Sequence, residues 1–210
     1  MPYDTHDDFD QEVMPGLPER PPQGEEILWQ GRPATWALAK ASLSLLWVAG
    51  YFALLTLWRF VVVVDSLPMD LAIAATVPVA VLGVITCALL LGFAWVQARA
   101  TVYTLTTRRV VMRVGAALTV TLNLPYTKIN AADLDLRKDG TGTIALSLKG
   151  NTRFSYLTLW PHVRPWQFRT QPALRCIPDA ERIAGLLAEH AEAELAVPQV
   201  SRTAQPIAAE

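Results

Sequence analysis

The chain is 210 residues long, 52% hydrophobic and 18% charged, with a formal net charge of −1. So small a net charge provides no positive field for nucleic acid, and we predict no nucleic-acid partner. The two cysteines, Cys87 and Cys176, fit neither a disulfide framework nor the spacing of a zinc site, so we expect structural thiols in a reducing compartment.

Residues 1–35 are predicted to form an acidic, proline-rich cytoplasmic tail followed by an interfacial lead-in. The first 26 or so residues are dominated by Asp, Glu and Pro, a composition that cannot bury a core and favours disorder. The apolar residues 27–29 then precede a Gly-Arg-Pro turn. They indicate either a short segment at a membrane interface or a strand that pairs with a later domain.

Two long apolar runs follow, and they predict a transmembrane helical hairpin over residues 36–98. The first run extends from Ala41 to Trp58 and, after Arg59, continues to Val64; the second extends over residues 71–98 without a charge. Each is long enough for a helix that crosses the ~30 Å hydrocarbon core of a bilayer. The connector at residues 65–70 is short, so both ends of the hairpin are expected on the same side of the membrane.

Charge asymmetry predicts which side that is. Arg32 and Lys40 precede the first run, and four arginines follow the second (Arg99, Arg108, Arg109 and Arg113), whereas the connector carries two aspartates. The positive-inside rule then predicts a multi-pass protein of the bacterial inner membrane, in the cytoplasmic or intracytoplasmic membrane, with both termini in the cytoplasm.

Arg59 is the exception to this pattern. Flanked by Trp58 and Phe60, it fits an arginine that snorkels to the far interface within an aromatic belt. The alternative is an intramembrane cation that pairs with a partner protein or a lipid headgroup, so we retain it as a candidate partner-binding residue.

Residues 99–196 are predicted to form a cytoplasmic domain of short antiparallel strands and one C-terminal helix. Alternation with period two indicates strands near residues 101–106, 109–114, 117–123, 133–137, 143–149 and 153–160. On this pattern Leu134 and Leu136 face the core, and Asp133 and Asp135 face solvent. A helix is expected from Asp179 to about residue 195, and residues 197–210 are expected to be a disordered tail. The fold class is thus membrane α+β, a hairpin followed by a pleckstrin-homology-like barrel or sandwich.

No Ser/His/Asp order, glycine-rich phosphate loop or metal-binding histidine pair is found in the sequence. Asp133 and Asp135 fit the solvated face of a sheet better than an acid–base pair. We therefore predict a protein that is not an enzyme and has no cofactor, metal or catalytic residue.

Two sets of residues are candidates for partner binding. Arg108, Arg109 and Arg113 form a basic cluster just past the second run, suited to anionic lipid or to an acidic partner. Trp160, His162, Arg164 and Trp166 lie in a segment where two prolines favour an extended backbone, and Trp and Arg dominate binding hot spots. The alternative is that the tryptophans seal the barrel against the C-terminal helix.

Several segments carry a resemblance to known families. YTLTTRRVV at 103–111 and LPYTKI at 124–129 resemble the bacterial pleckstrin-homology domain found after membrane helices. LPERPPQGEEILWQGRPATW at 17–36, LWPHVRPWQF at 159–168 and ALRCIPDAERIAGLLAEH at 173–190 resemble the PuhB family of reaction-centre assembly proteins from purple bacteria. This resemblance spans about residues 17–190 and brings no catalytic residues with it.

The resemblance implies a non-enzymatic factor that promotes biogenesis of the photosynthetic reaction centre and its core light-harvesting antenna. The implied partners are reaction-centre subunits, core antenna polypeptides or both, together with membrane lipids, and a homodimer is a further option. One alternative is a general membrane-anchored scaffold whose pleckstrin-homology domain binds lipid or protein. Another is a pigment-delivery protein, but the apolar runs contain no histidine, and a lone loop histidine such as His162 is more often a hydrogen-bonded structural residue than a magnesium ligand.

Overall fold

The computed structural model describes residues 17, 21–116, 118–150, 154–165 and 170–196. The predicted disordered tail at 197–210, most of the acidic tail and Trp166 lie outside these residues. The described chain consists of three helices near its N-terminus and a domain of two antiparallel sheets with a C-terminal helix packed on the second sheet.

The apolar runs form two helices that are long and apolar enough to cross a membrane. A short helix precedes them, and the three are α1 (Thr35–Ser42), α2 (Leu45–Val64) and α3 (Met69–Ala100). At 1.5 Å per residue, α2 is about 30 Å long and α3 about 48 Å. Helix α2 begins four residues after the start of the first apolar run, because Ser44 adopts a left-handed conformation (φ 53°) that separates α1 from α2.

Close packing joins α2 to α3. A Cβ atom added to Gly83 of α3 would lie only 2.7 Å from the Cβ of Phe52 on α2. The missing side chain therefore allows the two helices to approach one another at this point.

The first sheet contains four strands in the order β1-β2-β3-β4: β1 (Ile27–Gly31), β2 (Val102–Thr106), β3 (Arg109–Val114) and β4 (Val120–Pro125). Of the two predictions for residues 27–29, the strand is confirmed, because β1 pairs with β2 from Ile27 opposite Thr106 to Gly31 opposite Tyr103. The segment before the helices is thus part of the same domain as the segment after them.

The second sheet contains three strands in the order β5-β6-β7, reached through a single 3-10 turn at Tyr126–Lys128: β5 (Ile129–Leu136), β6 (Thr141–Leu148) and β7 (Ala173–Pro178). Helix α5 (Ala180–Ala196) packs over this sheet and buries Ile183 and Leu187 in the main core. The predicted C-terminal helix is confirmed.

Two predictions about this sheet are wrong. The predicted last strand at 153–160 contains a single helical turn, α4 (Tyr156–Leu159), and the last strand is instead β7, where no strand was predicted. All residues of β7 except the last are buried, so its sequence shows no alternation. The prediction that Leu134 and Leu136 face the core is also wrong: they are 39% and 49% exposed, because β5 is left uncovered on both faces over most of its length, whereas Ile144 and Leu146 on central β6 are fully buried.

Candidate functional site

The candidate site is the segment 159–165, which lies between the apolar helices and the sheets. Trp160 stacks on Phe93 of α3, with ring centroids 5.9 Å apart. Further along the segment, the His162 carbonyl accepts a hydrogen bond from the N–H of Ala173, the first residue of β7, and the Arg164 N–H donates to the carbonyl of Gln171, just before that strand. The segment therefore contacts the helices at one end and the second sheet at the other.

His162 is the most buried polar residue of the segment, at 1% exposure. Its Nδ1 lies 2.6 Å from the Tyr103 hydroxyl and its Nε2 lies 2.9 Å from Thr101 Oγ1. The Tyr103 hydroxyl oxygen also accepts a hydrogen bond from the backbone N–H of Arg175. We therefore assign the Tyr103 hydroxyl as the donor to an unprotonated Nδ1 of His162, and the imidazole proton to Nε2. Burial, reinforced by the charge of Arg175, lowers the pKa of His162 to about 3. The imidazole is thus neutral, and both nitrogens already have partners.

Arg175 of β7 holds three separate segments together. Its Nη1 donates to the carbonyls of Pro161 (3.1 Å) and Val163 (3.5 Å), and its Nη2 donates to the carbonyl of Ala41 in α1 (3.2 Å). Burial lowers the pKa of this guanidinium and outweighs the next largest influence, that of Cys176, which raises it. Because this β7 side chain donates to carbonyls of both α1 and the candidate segment, it links the second sheet to the helices.

The predicted partner-binding residues of this segment do not all lie at the surface. Arg164 is half-exposed and forms an ion pair with Asp133 of β5, and Trp160 is half-buried. His162 is interior, so in this conformation it positions its neighbours and does not itself form contact surface. Trp166 lies outside the described residues. The role of these residues in partner binding stays a prediction.

The basic cluster is divided between different environments. Arg109 forms a bidentate ion pair with Glu25, from Nε to Oε1 (2.7 Å) and from Nη2 to Oε2 (2.9 Å). Burial opposes ionisation of Glu25, but hydrogen bonds from Arg109 and Thr106 outweigh it and lower the pKa of the carboxyl. Arg108 is exposed and Arg113 partly exposed. One member of the cluster therefore anchors the N-terminal segment to the first sheet.

Arg59 lies away from the domain, on the exposed surface of α2 five residues before its end. At 1.5 Å per residue, its backbone is only about 7.5 Å from that end. This location fits the snorkelling interpretation, and its role in partner binding also stays a prediction.

Sequence reasoning missed the polar interior that organises the site: Thr101, Tyr103, Arg137 and Arg175. One signal was present, because Arg175 stands within the otherwise apolar run Ala-Leu-Arg-Cys-Ile, where a charge is costly unless its donors are satisfied. Within the described residues there is no group of three or more His, Cys, Asp or Glu side chains arranged to hold a metal ion.

Together, the two sheets, the covering helix and the preceding long apolar helices define a pleckstrin-homology-like domain carried on a helical hairpin. The family described as "Bacterial PH domain" matches residues 38–191, and the chain belongs to this family. A Rhodobacter capsulatus protein described as an "Uncharacterized 23.7 kDa protein in puhA 5'region" is 44% identical over 196 residues, which cover 92% of each chain. A crystal structure of a DUF1696 family protein with a pleckstrin-homology domain, from Shewanella loihica, is 13% identical and covers 43% of this chain and 71% of its own, with a TM-score of 0.29.

Proposed function

We propose that this protein is a membrane-anchored, non-enzymatic assembly factor for the photosynthetic reaction centre and its core antenna. The observation that carries the proposal is the 44% identity to a Rhodobacter capsulatus protein described by its location in the puhA 5′ region. That location favours a photosynthesis-related role, and it agrees with the resemblance of three separate segments of this sequence to reaction-centre assembly proteins.

Exposed apolar surface on α2 and α3 supports membrane anchoring. Trp47 of α2 is 83% exposed, and Val84 and Leu89 of α3 are each 70% exposed. Soluble proteins seldom expose an apolar surface that extends along two whole helices, since removing it from water is strongly favourable. Lipid would cover this surface.

The charges at the two ends of the hairpin support cytoplasmic termini. Lys40 and Arg99 lie at the end next to the sheets, and Asp65 and Asp70 lie in or beside the connector at the other end. The positive-inside rule then directs the sheets to the cytoplasm.

The position of the candidate segment suggests how the factor would act. Trp160 contacts α3, and Arg164, four residues along, is half-exposed beside β5. A partner with a transmembrane helix and a cytoplasmic extension would touch the hairpin and this segment together. The interior polar groups next to it hold the fold together through hydrogen bonds, which favours a role in protein contact over one in chemistry.

Complementation tests the proposal. In Rhodobacter capsulatus, the gene for the 44% identical relative would be deleted and this chain expressed in its place. We expect deletion to reduce the near-infrared absorption of reaction centres and core antenna, and this chain to restore it, with respiratory membrane proteins unchanged as the control. Loss of unrelated membrane proteins to the same extent would favour a general scaffold, and unchanged photosynthetic complexes would contradict the proposal. A bacteriochlorophyll band in the purified protein would favour pigment delivery.

A further inference from the structure

A cavity of about 360 Å³ opens beside the second sheet, next to the candidate segment. The charged side chains that line it are Asp133, Asp135, Arg137, Arg164 and Arg175. Three guanidinium groups and two carboxylates thus surround one small space.

The positive charges of this cavity exceed its negative ones, and its most buried charged residue, Arg175, is positive. Arg164 is compensated by Asp133. Within the described part of the chain, Arg175 donates to backbone carbonyls, and Arg137 donates to the Cys176 thiol (3.4 Å) and the Thr143 hydroxyl (2.9 Å). These acceptors carry no formal charge, so the two guanidinium groups share the neighbourhood of one further carboxylate, Asp135.

Arg175 has an additional unmet requirement. The residue is only 5% exposed, and its Nε atom is buried with no hydrogen-bond partner among the described residues. A buried donor without an acceptor is costly, and guanidinium groups pair strongly with phosphate oxygens. An anion in the cavity would offset the positive charge of this guanidinium and that of Arg137.

The cavity lies at the end of the domain nearest the hairpin. Arg175 binds the carbonyl of Ala41, four residues before α2 begins at Leu45. The turn that follows Arg137 is held there too, because Asp139 pairs with Lys40 of α1 at 3.2 Å. If α2 and α3 cross the bilayer, this is the level of the lipid headgroups.

We propose that this cavity binds the headgroup of phosphatidylethanolamine, with the phosphate against Arg137 and Arg175 and the primary ammonium against Asp135. The inference rests on the membrane anchoring in the proposed function. A phosphate diester meets the positive inner wall, and an ammonium group with three N–H donors meets the exposed carboxylate at the outer strand. Phosphatidylcholine lacks those donors and phosphatidylglycerol lacks the cation, so both should bind more weakly.

The test uses the full-length protein, purified in detergent and exchanged into mixed micelles of equal phosphatidylethanolamine and phosphatidylglycerol. Lipid retained after extensive washing would be quantified by mass spectrometry. We expect at least tenfold enrichment of phosphatidylethanolamine over phosphatidylglycerol and a tenfold loss of retained lipid in Arg137→Gln. Arg108→Gln should cause no change, because Arg108 is an exposed arginine between β2 and β3 that does not line the cavity. Equal retention by wild type and Arg137→Gln would overturn the proposal.

Asp135→Asn provides a second variant in case Arg137→Gln does not fold, because Asp135 is exposed. The Asp135→Asn protein should still retain lipid, but the ratio of retained phosphatidylethanolamine to phosphatidylglycerol should fall to about one. An undiminished ratio would contradict the contact between the ammonium and Asp135. Soluble glycerophosphoethanolamine and inorganic phosphate serve as competitors. If either displaces the lipid at equal concentration, a free phosphate compound is the ligand and the lipid assignment is wrong. This binding assay does not depend on photosynthetic function, and membrane insertion is tested separately by cysteine labelling in intact cells. The proposed lipid site and the proposed assembly function can therefore fail independently.

Discussion

The hydroxyl of Tyr103 lies 2.6 Å from Nδ1 of His162, and both side chains are buried. Tyr103 belongs to β2, directly after α3, and His162 belongs to the segment that precedes β7. Burial also raises the pKa of Tyr103 well above its ordinary value, so the phenol stays protonated and able to donate. This neutral pair fixes the candidate segment against the strand that leaves the hairpin.

The neutral state of His162 predicts how stability depends on pH. Its pKa is about 3 in the folded protein, against an ordinary value of 6.5, so below pH 6.5 the unfolded chain binds a proton that the folded protein does not. The free energy of unfolding should therefore fall as the pH drops from 6.5 toward 3, by at most about 1.4 kcal/mol per pH unit from this residue. His162→Gln keeps one acceptor and one donor, and should flatten that slope in urea unfolding of the detergent-solubilised protein.

His190→Gln on α5 is the matched control, because His190 lies outside this polar pair. It should leave the slope as in the wild type. An identical slope in wild type and His162→Gln would mean that other groups take up the proton, and the neutral buried imidazole would be wrong.

Gly83 predicts how tightly the hairpin is packed. A methyl group at this position would lie 2.7 Å from Phe52 Cβ, so Gly83→Ala must displace one helix. Overpacking of this kind costs about 1–3 kcal/mol. Gly92→Ala on the same helix has no heavy atom within 4 Å of the added methyl and controls for helix propensity. In a titration with sodium dodecyl sulfate, Gly83→Ala should unfold at a lower detergent concentration than the wild type, and Gly92→Ala should not. Equal transitions would show that the helices separate at this point without cost.

Membrane topology is tested by cysteine labelling in intact cells. Ser66, in the connector between α2 and α3, and Lys138, in the turn between β5 and β6, are both exposed. With both termini in the cytoplasm, an impermeant thiol reagent added from the periplasmic side should label Ser66→Cys but not Lys138→Cys. The unmodified chain supplies the background from Cys87 and Cys176, and detergent lysis should make Lys138→Cys reactive. Labelling of Lys138→Cys alone in intact cells would invert the topology, and labelling of both would exclude a spanning hairpin.

The candidate segment is tested as a partner surface through Arg164. If it is a binding hot spot, Arg164→Ala should cost about 2 kcal/mol or more of binding, which is roughly 30-fold in affinity. Asp133→Asn is the matched control, because it removes the same ion pair but leaves the guanidinium. Co-purification of reaction-centre and antenna polypeptides with tagged protein should fall for Arg164→Ala only, at equal protein levels in the membrane. Equal losses would assign the effect to the ion pair, and unchanged recovery would locate the contact elsewhere.

Much of the architecture was predictable because its signals are local. The length of the apolar runs predicts two helices that can cross a membrane, and alternation predicts β2, β3 and β6. Alternation failed at β5, where Leu134 and Leu136 are exposed, because the pattern within a strand does not reveal whether another element covers the face that its apolar residues share. It failed at β7 because a strand buried on both faces carries no alternation.

The sequence by itself determined the hairpin, the change from helical to strand periodicity after it, and the C-terminal helix, since each depends on residues close together in the chain. Only the tertiary structure decided what the polar residues do. Arg175 binds a carbonyl 134 positions away at Ala41, and Glu25 pairs with Arg109 across 84 positions. Such contacts depend on where the chain returns in space, and a buried charge is tolerated only where that return supplies its partners.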